Sequence, residues 1–140
     1  MLLDIARNIA MIAHAGQVDR AGVCYFSGHI QAVVRGVDDV EAQAVAYLHD
    51  VLEDCDVSAS ELIEAGIPSH VVDGVIAMSK IDGEAYDVYL NRVRSNELAR
   101  VVKISDLMHN MQLDRLPVVQ ESDLVRVEKY RGALEFLRQA

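Results

Sequence analysis

The sequence predicts an all-α protein, a single-domain helical bundle, from three observations. Apolar residues recur at helical spacing over most of the chain, as expected for helices with one buried face. Two Pro, no Trp and few aromatic residues favour packed helices over a strand-rich sandwich. With 140 residues, 51% of them hydrophobic, the chain is large enough to bury one core. We therefore expect residues 1–140 to form one domain.

The elements follow from periodicity and from helix start and stop signals. The first helix is predicted over residues 2–15, and residues 16–29, with three glycines, are predicted to be irregular. Ser58 and Glu61 form a capping-box pattern that opens a short helix ending at Gly66. The remaining helices are predicted at about 30–36, 39–54, 69–78, 84–94, 96–113 and 121–138, with a turn at 80–84.

Composition and charge exclude several classes of protein. The net charge of −9 argues against extended contact with a nucleic-acid polymer, which needs a basic stripe. A small anionic substrate would require a metal ion or local Lys and Arg. Cys24 and Cys55 show no metal-type or redox spacing, so a reducing compartment fits best. The N-terminal segment has neither a basic leader nor a membrane span, and we expect a cytoplasmic protein.

The segment AVAYLHDVLEDCD, residues 44–56, carries an unusual polar group. On a helix, His49, Asp50, Glu53 and Asp54 share one arc opposite the apolar residues. Acidic runs on helices are usually solvated surface. Here, however, the acids crowd a helix C-terminus, where the helix dipole disfavours anions. A functional site and a solvated helix end remain equal alternatives on this pattern alone.

A second polar group lies in residues 101–112, VVKISDLMHNMQ. Asp106 and Asn110 are four residues apart and share a helix face, with Lys103 beside them. A hydrogen bond on the helix surface is the simpler interpretation of this pair. Lys103 has two equal interpretations: a partner for a substrate phosphate, or a structural partner for a carboxylate.

His29 follows the glycine-containing stretch and completes a set of imidazole and carboxylate side chains. Such a set suits Mn²⁺, Fe²⁺ or Zn²⁺ and leaves positions open for water and a substrate oxygen. His14, His70 and His109 are expected to be ordinary core or surface residues. The candidate metal ligands are His29, His49, Asp50 and Asp106.

These motifs together resemble a known family. HDVLED (49–54) and VKISDLMHN (102–110), with AHAGQ (13–17) upstream, resemble the HD-domain metal-dependent phosphohydrolases. Within that family the chain is most similar to the RelA/SpoT-type alarmone hydrolases, including their small stand-alone forms. The resemblance covers about residues 13–111 and implies an HD-type helical bundle.

The resemblance also implies roles for single residues. It implies that His29, His49, Asp50 and Asp106 bind the metal, most often Mn²⁺, and that Glu53 and Asp54 handle the attacking water and its proton. Asn110 matches a residue that contacts the substrate, and Arg20 matches a basic residue of the nucleotide pocket. Lys80 and Tyr86, with Glu84 and Arg92, are expected pocket walls. The implied reaction removes the 3′-pyrophosphate from guanosine tetra- or pentaphosphate.

The chain also departs from the family pattern. Asp19, Leu107 and Gln112 stand where arginines are usual, and Tyr25 and His29 are separated by one extra residue. Two alternatives therefore stay open: a phosphohydrolase of another nucleotide or small phosphate ester, and a non-catalytic module that binds metal or nucleotide. No synthetase domain follows, so degradation is the expected alarmone role. The apolar C-terminal helix is expected either to close the core or to pair with a second copy.

Overall fold

The structure, a computed structural model, describes residues 1–139 and the side chains of all of these except Arg115. Apart from one isolated bridge between Val18 and Cys24, this part of the chain has no β-structure. The predicted all-α fold is confirmed. The helices are α1 (Leu2–Ala13), α2 (Gln31–Arg35), α3 (Val40–Leu48), α4 (Val51–Asp54), α5 (Ala59–Glu64), α6 (Ser69–Met78), α7 (Tyr86–Arg94), α8 (Glu97–Asn110) and α9 (Glu121–Arg138).

Helix α3 is the centre of the bundle and packs against α1, α2, α6 and α8. A helix with apolar residues on several faces must be covered on those faces, and six of the nine α3 residues are buried. Small side chains allow neighbouring helices to approach closely. At the crossing of α2 and α8, for example, a Cβ atom on Gly36 would meet Ser105 Oγ at 2.0 Å. His49 and Asp50 therefore follow directly on a largely buried helix that four other helices contact.

The single helix predicted over residues 39–54 is wrong, because α3 ends at Leu48 and α4 begins at Val51. The His49 Nδ1–H donates to the Ala46 carbonyl oxygen at 2.6 Å. That carbonyl would accept from the Asp50 amide in a continuous helix. The side chain thus replaces a backbone hydrogen bond, and the interruption turns His49 and Asp50 toward α8.

The irregular backbone predicted up to residue 29 ends earlier, because a π-helical turn spans Phe26–Ile30 and continues into α2. Upstream, the Asp19 carboxylate accepts hydrogen bonds from the Ala21 and Val23 amides at 2.8 and 3.1 Å. Gly16 and Gly22 have positive φ angles of 84° and 80°, which few other residues adopt without strain. Residues 16–25 therefore form an ordered loop that leads His29 into the bundle.

The capping box of Ser58 and Glu61 is present at the start of α5, as predicted. At the other end of the chain, α9 packs on α7 and α8 and buries Ala133 and Leu137. The C-terminal helix thus closes the core, which was one of its two expected roles. None of the helices described is both long and apolar enough to span a lipid bilayer.

Candidate metal centre and active site

The four predicted metal ligands converge at one point in the bundle. The Nε2 atoms of His29 and His49 are 3.3 Å apart. The Asp106 Oδ1 atom lies 3.0 Å from His29 Nε2 and 3.5 Å from His49 Nε2. The Asp50 Oδ2 atom lies 3.1 Å from His49 Nε2 and 3.7 Å from His29 Nε2. Residues contributed by the π-helical turn, the α3–α4 break and α8 therefore present two nitrogens and two oxygens to a common centre.

The carboxylates of this cluster are held in place by neighbouring donors. The Lys103 ammonium donates to Asp106 Oδ2 at 2.9 Å, and the Asn110 amide donates to Asp106 Oδ1 at 3.2 Å. The Tyr25 hydroxyl donates to Asp50 Oδ2. Of the two interpretations of Lys103, the structural pairing with a carboxylate is the one observed. Because each carboxylate has its own donor, both are oriented without help from a ligand.

Burial and charge shift the pKa values of this cluster strongly. Burial raises the pKa of the Asp50 carboxyl, but the His49 and His29 imidazoles outweigh it and lower that pKa to about 2. Burial also opposes ionisation of Asp106, but Lys103 and the two histidines hold its pKa well below the usual range. Burial lowers the pKa of His49, whereas Asp50 and Asp106 raise it well above 6.5. The cluster therefore has a strong net preference for positive charge at its centre.

The donor set fits a divalent metal ion. The Nδ1–H of His49 is committed to a carbonyl oxygen, so a neutral His49 directs the lone pair of Nε2 toward the cluster. Two imidazole nitrogens and ionised carboxylates within hydrogen-bond distance of one another repel unless a cation or protons lie between them. His29, His49 and Asp50 have ligand atoms close enough together to hold one ion, and Asp106 faces the same centre. Mixed N and O ligands suit Mn²⁺, Fe²⁺ or Zn²⁺.

The cluster forms the floor of a pocket of about 430 Å³. A volume of this size is within the range of small-molecule sites. The walls come from the 16–25 loop, α4, the end of α6 and the turn after it, α7, α8 and α9. The ten residues predicted to bind metal, catalyse the reaction or bind substrate all line this pocket: Arg20, His29, His49, Asp50, Glu53, Asp54, Lys80, Tyr86, Asp106 and Asn110.

Glu53 and Asp54 lie on the wall above the floor. The Glu53 Oε1 atom accepts a hydrogen bond from the Lys80 backbone amide at 2.7 Å, which fixes the carboxylate across the pocket. Partial burial, followed by the charges of Asp50 and Glu53, raises the pKa of the Asp54 carboxyl. The two neighbouring acids are thus unlike one another, because one is anchored to backbone and the other has a raised pKa.

The predicted substrate-contacting residues have different surroundings. Arg20 forms an ion pair with Asp123 of α9 at 2.8 Å, and Asn110 is bonded to Asp106. Lys80 is exposed at the pocket edge. The Tyr86 hydroxyl is buried without a hydrogen-bond partner, so its donor and its acceptor are both unused.

Glu84 and Arg92, expected as pocket walls, pair with each other instead. Arg92 Nη2 lies 2.7 Å from Glu84 Oε1. The same guanidinium also donates to the carbonyl oxygens at the C-terminus of α6. Arg92 therefore satisfies helix-end carbonyls, and this pair fixes the turn that carries Lys80.

Sequence reasoning missed several residues of the site. Tyr25 bonds Asp50, His109 contacts His29, and Tyr89 and Tyr130 line the pocket. The position of His109, three residues after Asp106, was a usable signal because residues three apart share a helix face. Tyr130 carried no such signal, since only tertiary packing brings α9 to the pocket.

The extra residue between Tyr25 and His29 is accommodated by the π-helical turn. A π-helix uses i→i+5 hydrogen bonds and so holds one more residue in a turn than an α-helix does. The amide of Gln31 donates to the carbonyl of Phe26 across this turn. Tyr25 consequently still reaches Asp50, and His29 still reaches the cluster.

An all-helical bundle with a buried His–Asp cluster below a pocket defines the structural class of this protein. Over 131 residues the chain is 32% identical to the guanosine-3′,5′-bis(diphosphate) 3′-pyrophosphohydrolase of Vibrio cholerae, a match that covers 88% of this chain. The chain spans 18% of the length of that curated relative. No model of a protein family matches the chain.

A solved structure, that of a metazoan ortholog of SpoT that hydrolyzes ppGpp and plays a role in starvation responses, matches with a TM-score of 0.81. The match covers 98% of this chain and 85% of that one, at 17% sequence identity. The predicted resemblance to RelA/SpoT-type hydrolases is therefore confirmed in sequence similarity and in fold.

Proposed function

We propose that the chain is a metal-dependent phosphohydrolase that removes the 3′-pyrophosphate of guanosine tetra- or pentaphosphate. Water is consumed, and GDP or GTP is released with pyrophosphate. The observation that carries the proposal is the cluster of His29, His49 and Asp50 ligand atoms, with Asp106 beside it, on the floor of a pocket whose wall carries Glu53 and Asp54. The activity named for both similar proteins supports the same substrate.

His29, His49, Asp50 and Asp106 are the proposed ligands of a divalent cation, which we propose to be Mn²⁺, with Fe²⁺ or Zn²⁺ as alternatives. When bound, such an ion lowers the pKa of a coordinated water and polarises a phosphoryl oxygen. Lys103 and Tyr25 keep the carboxylates in position through their hydrogen bonds. These contacts exist before substrate arrives, so little reorganisation is needed on binding.

Glu53 is the proposed general base, and Asp54 the proposed general acid. Glu53, held by the Lys80 amide, positions the attacking water and accepts its proton. Asp54, whose pKa is raised by burial and by neighbouring anions, retains a proton more readily and delivers it to the leaving oxygen. The two acids thus divide the two proton transfers of hydrolysis between them.

Four wall residues are proposed to bind the substrate. Lys80 and Arg20 supply positive charge for phosphate groups. The unpartnered Tyr86 hydroxyl donates to a phosphate or ribose oxygen. Asn110 donates to Asp106 through its amide nitrogen, and the rest of its amide group is proposed to contact the substrate.

A second candidate is a phosphohydrolase that acts on another nucleotide or on a small phosphate ester. The specific observation is that two of the three described cations lining the pocket are already paired, Arg20 with Asp123 and Lys103 with Asp106. Leu107, at a position where arginine is usual, is fully buried in the core. A substrate with fewer phosphates would need fewer cations. A non-catalytic binding module remains a third alternative, although it would have no need of Glu53.

The decisive experiment is product analysis of guanosine tetraphosphate incubated with Mn²⁺. We expect the wild-type protein to release GDP and pyrophosphate, and the Asp50→Ala variant to release neither. Asp73→Ala, which removes an exposed carboxylate of α6, is the matched control and should behave as wild type.

Each alternative predicts another outcome of the same experiment. Turnover of other nucleotides, but not of guanosine tetraphosphate, would support the second candidate. Tight Mn²⁺ binding without turnover of any nucleotide would support the binding module.

We also propose the location, the domain organisation and the partner of this activity. The two cysteines are free, which is consistent with a reducing compartment, and we propose a cytoplasmic protein. Residues 1–140 are proposed to act as one phosphohydrolase domain, since the core residues form one cluster within the described range. The proposed partner is a small anionic nucleotide, without nucleic-acid polymer or membrane, and association with a second copy stays an open alternative.

A further inference from the structure

His109 contacts a proposed metal ligand from the side away from the metal centre. The Nδ1 atoms of His109 and His29 are 2.9 Å apart, and their rings are tilted at 43° with centroids 5.0 Å apart. His29 is 4% exposed, and its Nε2 atom faces Asp106 and His49. His109 is therefore the neighbour that reaches the other nitrogen of the His29 ring.

Two imidazole nitrogens at this distance form a hydrogen bond only when one carries a proton and the other a lone pair. If His29 Nδ1 carries the proton, a neutral His29 has its lone pair on Nε2, facing the cluster. If His109 Nδ1 carries the proton, Nε2 of a neutral His29 is protonated and cannot bind a metal ion. The direction of this single hydrogen bond therefore decides whether His29 is a ligand.

We propose that His109 is a positioning residue that accepts the hydrogen bond from His29 Nδ1–H and so directs the Nε2 lone pair of His29 to the metal ion. The inference rests on the proposed function, because it assumes the metal centre. His49 obtains the same support from the Ala46 carbonyl oxygen. Ligand histidines commonly depend on such a partner, which fixes both the tautomer and the ring orientation.

The arrangement of α8 supports this role. Asp106, His109 and Asn110 lie at positions i, i+3 and i+4 and so share one face. Asp106 supplies a ligand atom, Asn110 donates to Asp106, and His109 contacts His29. One turn of α8 thus contributes one proposed metal ligand, Asp106, and two residues that support ligands. Asn110 supports Asp106, and His109 supports His29.

Metal affinity tests the proposal without reference to turnover. We would measure binding of Mn²⁺ alone by the spin-resonance signal of the free ion, and the visible spectrum of bound Co²⁺. His109→Leu removes the acceptor, and we expect an affinity loss of about 10–100-fold with an altered Co²⁺ spectrum. His109→Asn places an amide oxygen near the position of Nδ1 and should restore most of the affinity and the wild-type spectrum.

The matched control is His70→Leu, which removes an exposed histidine paired with Glu41 on another surface. It should bind Mn²⁺ as wild type does. Wild-type affinity in a folded His109→Leu variant would overturn the proposal. So would equal losses in the Leu and Asn variants, because these would indicate packing alone. Failure of the wild-type protein to bind Mn²⁺ or Co²⁺ would overturn the metal centre itself, and with it the proposed function.

Discussion

The floor and the rim of the pocket are built in opposite ways. The floor consists of His29, His49, Asp50 and Asp106, with side chains that are at most 17% exposed. Each floor side chain also has a hydrogen-bond partner outside the cluster. The rim consists of Arg20, Lys80 and Tyr86, which stand on a loop, a turn and a helix start. Arg20 pairs with Asp123, and the Tyr86 hydroxyl has no hydrogen-bond partner.

This difference separates two tasks. A fully hydrogen-bonded floor holds its geometry whether or not a ligand is present, at the expense of burying charges. A sparsely bonded rim leaves polar groups available to a substrate. Substitutions in the floor should therefore affect metal binding and folding together, whereas substitutions at the rim should affect substrate binding with little effect on folding.

The largest effect is expected for Asp106→Leu. This change removes a ligand and leaves the buried Lys103 ammonium without its carboxylate. We expect loss of Mn²⁺ binding and activity, and a decrease of about 3–5 kcal/mol in the free energy of unfolding, typical of breaking a buried ion pair from one side. Urea unfolding without metal measures the second quantity.

The matching double variant, Asp106→Leu with Lys103→Met, separates folding from chemistry. Removing both charges should recover a large part of the lost stability and none of the metal binding. A double variant that is no more stable than Asp106→Leu would mean that the pair is not the source of the destabilisation.

The next largest effect concerns Glu53→Gln, on the wall between the floor and the rim. The amide oxygen of Gln can still accept from the Lys80 amide, so the local structure should be retained. We expect the turnover number to fall by about 10²–10⁴-fold, the usual contribution of a general base, while Mn²⁺ affinity stays at the wild-type value. Glu64→Gln, at an exposed position of α5, is the control. Unchanged turnover in Glu53→Gln would remove Glu53 from the mechanism.

Local rules drew attention to most of the floor residues, because these residues sit in recognisable sequence patterns. His49 and Asp50 end an apolar helix, and Asp106 stands four residues before Asn110. On these patterns alone, a solvated helix end and a hydrogen bond on the helix surface remained as alternatives. The bounds of α9 and the capping box of α5 were predicted for the same reason. The assembly of the four floor residues into one centre was predicted from the family resemblance, since no local rule relates residue 29 to residue 106.

Contacts between residues distant in sequence explain the structural features that the sequence did not predict. The break after Leu48 arises because the His49 ring takes a backbone acceptor, which periodicity does not register. The π-helical turn before α2 depends on an extra residue within a closely packed segment. Arg92 was expected at the pocket, but the unpaired carbonyls at the end of α6 offer it more acceptors. Such choices depend on neighbours that are distant in sequence.

Mn²⁺ binding to the floor of the pocket should depend on pH. Only neutral His49 can bind a metal ion, and the carboxylates around it raise its pKa, although burial alone would lower it. The pKa values of Asp50 and Asp106 are lowered, so both carboxylates stay ionised near neutral pH.

Affinity should therefore rise with pH, by up to about tenfold per unit while His49 is protonated, and level off above its raised pKa. Titrations of Mn²⁺ affinity between about pH 6 and pH 8.5 measure this slope. The slope should be the same in Glu53→Gln, which lies outside the floor. A flat profile across that range would contradict the proposed competition between proton and metal.

The smallest effect is expected at the rim, for Arg20→Ala. Its ion pair with Asp123 is half exposed on the arginine side, at 52%, so screening by solvent should limit the stability change to about 0–1 kcal/mol. If Arg20 also binds a phosphate, KM should rise by several-fold, with the turnover number and Mn²⁺ affinity unchanged. Arg126→Ala is the informative comparison, because Arg126 also pairs with Asp123 but does not line the main pocket. Equal KM increases in both variants would attribute the effect to Asp123 and the placement of α9, whereas an increase confined to Arg20→Ala would make Arg20 itself the phosphate contact.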